Sequence, residues 1–180
     1  MPALVHELLQ DSADRRPDKT ALVCGERRLT YGWLDLAANR LAHALRELGV
    51  ARGDRVAIYL NNSVELAVGI FGVLKAGGVF LLINRAAKAD KLLYILNNSR
   101  STVLMTDNHT LDSGLLKRIL EEVRGLRVVV CSTGASRGYP QSERVWDFAQ
   151  IQSSFPSSRP PCRIIDLDLA CLIYTSGTTG

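Results

Sequence analysis

Six consecutive residues carry the clearest chemical signal in the sequence: Thr175, Ser176, Gly177, Thr178, Thr179 and Gly180, in the run LIYTSGTTG. Glycines let successive backbone N–H groups turn toward one anion, and the neutral, compact hydroxyls of Thr and Ser add donors around it. That composition suits phosphate. It equally suits an ordinary polar turn, and the residue types alone leave both readings open. The better-known phosphate and nucleophile motifs are absent. A GxxxxGK[ST] loop needs a lysine that does not follow within the chain. A Gly-x-Ser elbow fails because Tyr174 stands two residues before Ser176. No GxGxxG is present; the GIFG at 69–72 falls inside a helical pattern.

Other residues invite chemistry less strongly. Lys75 stands alone in an apolar stretch and reads as a helix-end side chain that snorkels to water. His6, His43 and His109 lie far apart without metal-ligand spacing. Asp166 and Asp168 precede the final apolar run; they could bind a metal, but read rather as residues that solvate a loop. Four cysteines at 24, 131, 162 and 171 form no CxxC pair, which speaks against zinc and against a disulfide framework. Cys24 and Cys131 sit in apolar runs as small core residues, and a reducing cytoplasm is the expected compartment.

The elements that would position the terminal loop are legible as alternating patterns. TALVCG and RRLTY predict a β-hairpin turning at Gly25-Glu26. Leu34, Ala38, Leu41, Leu45 and Leu48 then recur at helical spacing, with Asp35, Asn39, Arg40, His43, Arg46 and Glu47 on the opposite, polar face. Thr30 is placed to cap this helix and Gly49 to end it, although Trp33 occupies the capping-box position that favours Glu or Gln. Strands are expected at 55–60, 79–83, 102–107, 127–132 and 169–174, with helices at 63–77, 88–99 and 111–125. Continuous apolar strands alternating with helices predict an α/β, doubly wound, mostly parallel sheet, preceded by the hairpin. The Ser-, Gly- and Pro-rich stretches 132–143 and 153–162 read as surface loops within one domain.

Bulk properties exclude some classes. The 180 residues carry a net charge of +4, with basic residues scattered as singles and pairs, so a nucleic-acid surface is not indicated. Residues 66–83 are long and apolar enough to suggest a membrane span. Lys75 near their middle, followed by Gly77-Gly78, favours a helix, a turn and a buried strand instead. Glu7 and Asp11 interrupt what a secretion signal would need.

Three motifs in order resemble those of the adenylate-forming (AMP-binding) superfamily, which includes acyl-CoA synthetases, luciferases and peptide-synthetase adenylation domains. LIYTSGTTG resembles its signature loop. RLTYGWLD, from Arg28 to Asp35, is similar to its Leu-Thr-Tyr-x-Glu-Leu motif, with Trp33 in place of Glu. LKAGGVFLLIN, from Leu74 to Asn84, resembles its Leu-Lys-Ala-Gly-Gly motif, with Leu82 and Arg85 where proline is usual. The resemblance covers the whole chain and leans toward fatty-acyl-CoA synthetases.

The resemblance implies an ATP- and magnesium-dependent acid–thiol ligase. A carboxylic, expectedly fatty, acid would become acyl-AMP and pass to the thiol of coenzyme A or a carrier protein. Thr175, Ser176, Gly177, Thr178, Thr179 and Gly180 would hold ATP phosphates. No catalytic residue and no metal ligand is expected within residues 1–180, which would be the first portion of such an enzyme, cut inside the loop and inactive alone. A non-catalytic nucleotide-binding or interaction module and an amino-acid-adenylating domain are the alternatives.

Overall fold

The computed structural model describes residues 4–107, 113–132, 144–161 and 164–175. The chain opens with helix α1 (Val5–Arg15), then the hairpin β1 (Thr20–Cys24) and β2 (Arg27–Thr30), which turns at Gly25-Glu26 as expected. Gly25 has φ +58°, the left-handed region where a side chain is disfavoured. Next come α2 (Tyr31–Glu47), β3 (Arg55–Ile58), α3 (Val64–Ala76), β4 (Val79–Leu82), α4 (Ala89–Asn98), β5 (Ser101–Thr106), α5 (Ser113–Glu122) and β6 (Val128–Cys131). The described chain closes with β7 (Val145–Asp147), α6 (Phe148–Ser154) and β8 (Cys171–Ile173).

Six strands form one sheet in the order β7-β6-β5-β3-β4-β8, with every neighbouring pair parallel. The doubly wound α/β class is therefore observed, with the antiparallel hairpin standing apart as its own small sheet. Because strand side chains alternate faces, the sheet splits the core in two. Val56, Ile58, Val103, Met105, Val128 and Val130 face α2, α3 and α6. Ala57, Tyr59, Leu81, Leu104, Val129 and Cys131 face α4 and α5. Both faces being covered explains why these strands read as unbroken apolar runs.

Local signals terminate the helices. Thr30 Oγ1 accepts from Trp33 N at 3.2 Å, a cap without the reciprocal capping-box bond, as the sequence implied. Ser63 caps α3 through Leu66 N, and Gly77 ends it in the left-handed conformation. The apolar stretch 66–83 is thus a helix, a glycine turn and a strand. No helix among the described residues is long and apolar enough to cross a membrane.

Three elements are additional to the sequence expectations: α1, β7 and α6. The stretch 155–161 that follows α6 runs along the surface, as expected, but it is tethered there. It lies as a strap across α2: Asn39 Nδ2 donates to Ser157 O at 2.8 Å, His43 Nε2 lies 3.0 Å from Ser158 O, and Arg46 donates to Pro161 O. Residues 133–143 fall outside the described residues.

Candidate functional site

Two places could serve chemistry, and they meet at the carboxyl edge of the sheet. The first is the end of β8. Parallel pairing of β8 with β4, Phe80 opposite Cys171 through Leu82 opposite Ile173, carries the chain out at that edge, where Thr175 is exposed. Ser176, Gly177, Thr178, Thr179 and Gly180 lie outside the described residues. The edge strand is itself anchored at its start. Arg52 grips Asp168 with two bonds, Nε to Oδ2 at 2.8 Å and Nη2 to Oδ1 at 2.6 Å, while Asp168 also accepts from Ile165 N. The Arg52 bond holds the Asp168 carboxyl below the usual range. Asp168 is therefore an anchor, which corrects the expectation that it merely solvates a loop.

The second place was not foreseen from the sequence. The crossover from β3 to β4 runs along one face of the sheet, whereas those from β4 to β5 and β5 to β6 run along the other, which makes β3 and β5 the switch point of the sheet. In open α/β sheets, ligands bind in the crevice outside the carboxyl ends at that point. Here it is lined by polar groups. Arg85 lies over the Tyr59 ring, 5.2 Å from its centroid, and its Nε donates to Asn61 Oδ1 at 3.3 Å. Its Nη1 is 3.7 Å from Asp107 Oδ2, close enough for an ion pair and too far for a hydrogen bond. Tyr59 OH donates to Ala87 O at 2.7 Å, fixing the loop that carries Arg85. Arg85 Nη1 and Thr106 Oγ1 are both buried with no hydrogen-bond partner among the described residues. Unsatisfied buried polar atoms are uncommon, and here they mark where another group would be welcome. In the sequence Arg85 is distinguished only as a departure from the motif's proline; its meeting with Asp107, Asn61 and Tyr59 depends on strand order, which sequence spacing does not display.

Lys75 departs furthest from expectation. It does not snorkel: it is 1% exposed and donates to Asp35 Oδ1 and, at 2.6 Å, to Asn39 Oδ1. Asp35 and Asn39, placed on the polar face of α2 by their types, are buried at 5% and 1%. Arg159 from the strap completes the cluster, with Nε 3.5 Å from Asp35 Oδ2 and two bonds to Asp14 on α1 at 2.7 and 3.0 Å. Burial lowers the Lys75 pKa, partly offset by its bond to Asp35. The cluster ties three helices and the strap to one another. A shallow hollow of about 350 Å³ adjoins it, but its charged groups already satisfy one another, so the cluster is structural.

The remaining candidates resolve plainly. Cys131 is a core residue as expected, with burial pushing its thiol up to about 12. Cys24 is half-buried against the core, and Cys162 lies outside the described residues. His6 is partly buried, which lowers its pKa; His109 is outside the described residues. Among the described residues no three His, Cys, Asp or Glu side chains are grouped so as to hold a metal ion.

Comparison with known proteins narrows the field. The family described as AMP-binding enzyme matches residues 9–180. A medium/long-chain-fatty-acid–CoA/3-oxocholest-4-en-26-oate–CoA ligase of Mycobacterium marinum is 30% identical over 98% of this chain and 32% of its own length. Tyrocidine synthase 3 of Brevibacillus parabrevis is 33% identical over 98% of this chain and 2% of its own. Among solved structures, the anthranilate CoA ligase AuaEII in complex with anthranoyl-AMP superposes with a TM-score of 0.88 at 27% identity. That match spans 100% of this chain and 34% of that one. The chain thus spans about a third of the length of the curated CoA-ligase relatives it matches.

Proposed function

The chain belongs to the AMP-binding enzyme family, and from that premise we propose that residues 1–180 form the first portion of an ATP-dependent acid–thiol ligase acting on a fatty acid in the cytoplasm. A carboxylate oxygen attacks the α-phosphorus of ATP, and the bond to the β,γ-pyrophosphate breaks. A thiol sulfur, of coenzyme A or a carrier protein, then bonds to the acyl carbon while AMP leaves and the thiol proton passes to solvent. Magnesium, when bound, offsets phosphate charge; no residue of this chain is assigned to it.

The work of this chain is to hold phosphate. Charge accumulates on the departing pyrophosphate, so donors aimed at its oxygens stabilise the transition state. Thr175, Ser176, Gly177, Thr178, Thr179 and Gly180 supply hydroxyl and backbone donors, and hydrogen bonds to charged groups contribute about 1.5–3 kcal/mol each. The observation that carries the proposal is the family match over nearly the whole chain, joined to a sheet whose edge strand β8 delivers Thr175 to the carboxyl edge.

The relatives include both fatty-acid CoA ligases and peptide synthetases at similar identity, so amino-acid activation is the competing substrate class. Exchange of labelled pyrophosphate into ATP discriminates. The 180-residue chain alone is expected to show no exchange above blank with any acid. The same reading frame extended to the length of the CoA-ligase relatives is expected to exchange with fatty acids. Exchange driven only by amino acids would replace the substrate assignment, and exchange by the short chain would overturn the partition of function.

A further inference from the structure

At the opposite, amino edge of the sheet, four helix-to-strand turns feed β3, β4, β5 and β6. Three of them use glycine for their positive-φ positions: Gly49 and Gly53 before β3, Gly77 before β4 and Gly125 before β6, all with φ between +81° and +88°. The turn before β5 uses Arg100, at φ +52°. Arg100 stands in the left-handed position just past α4, where glycine or asparagine is normally favoured because a Cβ is crowded. Its side chain is thus kept where the backbone alone would prefer none.

That side chain does not stand by itself. With Arg55, Arg124 and Arg127 it lines an open cavity of about 940 Å³, floored by Thr102, Gly125 and Leu126. Two of the four guanidiniums are spent on carbonyls of helix ends and of the turn before β3. Arg55 donates to Ser99 O, Gly53 O and Arg100 O at 2.7, 3.1 and 3.0 Å, and Arg127 donates to Gly49 O and pairs with Asp54 at 3.8 Å. Cations at helix C-termini are expected on electrostatic grounds, and these two need no ligand to explain them. The guanidiniums of Arg100 and Arg124 have no hydrogen-bond or ion-pair partner among the described residues, and both are exposed. The one carboxylate in the lining, Glu122, is engaged by Arg118 Nε at 2.9 Å.

We propose that this groove binds a polyphosphate group, with Arg100 and Arg124 gripping its oxygens and Arg55 and Arg127 forming a fixed cationic wall. Guanidiniums match phosphate oxygens in pairs, and the cavity volume falls in the range that small-molecule sites occupy, about 300–1,000 Å³. The site is separate from the outgoing end of β8, since the length of the sheet lies between them.

Calorimetric titration of the 180-residue chain with sodium tripolyphosphate at low ionic strength tests it. Saturable binding that persists without the hydroxyls of the terminal run is expected, weakened about tenfold by either Arg100→Gly or Arg124→Gln, on the scale of one lost charge-assisted hydrogen bond. Arg100→Gly relieves the backbone, so it should melt no lower than the parent chain, and lost binding cannot be put down to lost fold. Thr178→Ala with Thr179→Ala should leave this site unchanged, which keeps the result independent of the ligase reading. Co-sedimentation with phosphatidylcholine vesicles containing phosphatidylinositol 4,5-bisphosphate separates the sources. Arg100-dependent sedimentation assigns the phosphate to a lipid headgroup, and Arg100-dependent titration without sedimentation assigns it to a soluble ligand. Absence of saturable binding in both, or Arg100→Gly binding like the parent, overturns the proposal.

Discussion

Replacing Asp35 with Asn should expose how much of this fold hangs on one buried charge. Lys75 is 1% exposed and its cationic head has two partners, Asp35 and Asn39. Removing the carboxylate leaves a buried ammonium facing two amides. Breaking one side of a buried ion pair costs about 3–5 kcal/mol, and the retained amide oxygen of Asn places this variant near about 3 kcal/mol. For a chain of this size each kcal/mol moves the melting temperature by about 2–4 °C, so a loss of about 6–12 °C is expected. The pH dependence carries the sharper test. Burial already lowers the Lys75 pKa in the folded chain, and Asp35 is the partner that raises it. Without Asp35 the folded value falls further, while the unfolded chain keeps the proton up to about pH 10.4. Between those two values the unfolded state binds more protons, so stability rises with pH. The deficit of Asp35→Asn should therefore narrow from pH 7 toward pH 10. A combined Lys75→Met and Asp35→Leu variant, which removes both charges, should recover most of the loss at pH 7. Thermal melts followed by circular dichroism at both pH values read all of this. A loss under about 1 kcal/mol at pH 7 would refute the reasoning, as would a deficit that ignores pH.

Other consequences are open to direct measurement. Gly72→Ala would put a Cβ 2.7 Å from Leu41 Cδ2 and 2.9 Å from Leu41 Cγ, so Leu41 or the α2–α3 contact must shift, and a stability loss of about 1–3 kcal/mol in urea is expected; an unchanged midpoint would show that Leu41 yields freely. The Cys131 thiol, pushed up to about 12 by burial, stays protonated at pH 8 and should resist iodoacetamide until the chain unfolds, whereas half-buried Cys24 reacts sooner; mass spectrometry showing equal labelling would contradict this. Asp168→Ala frees the start of β8, and hydrogen exchange at Cys171–Ile173 should quicken while β3 and β5 stay protected; unaltered exchange there would mean that pairing with β4 alone holds the strand.

The sheet was legible because its strands are buried on both faces. Val128–Cys131, for instance, is apolar at every position and admits few other interpretations. Thr30 and Gly77 announced helix ends because capping is local chemistry. By contrast β7 and α6, three and seven residues long, take their shape from long-range contacts: Phe148 and Ile151 are buried in the core and Gln152 Nε2 donates to Ala37 O at 3.1 Å. Lys75 was misplaced for the same reason. Judged by its neighbours in sequence it looks stranded, but its partners lie 40 and 36 positions away. The terminal run announces its resemblance through its own residue types, though Ser176 to Gly180 lie outside the described residues; the crevice around Arg85 has no such local sign, because it exists only once β3, β4 and β5 stand side by side.

The strap across α2 bears on how such a chain can drift. Asn39, His43 and Arg46 hold it through the main-chain oxygens of Ser157, Ser158 and Pro161, which every amino acid possesses. Side chains at those three positions are accordingly at liberty to change while the path of the segment persists. Constraint concentrates instead on the helix that does the holding, and on Arg159, whose own guanidinium reaches inward to Asp14 and Asp35.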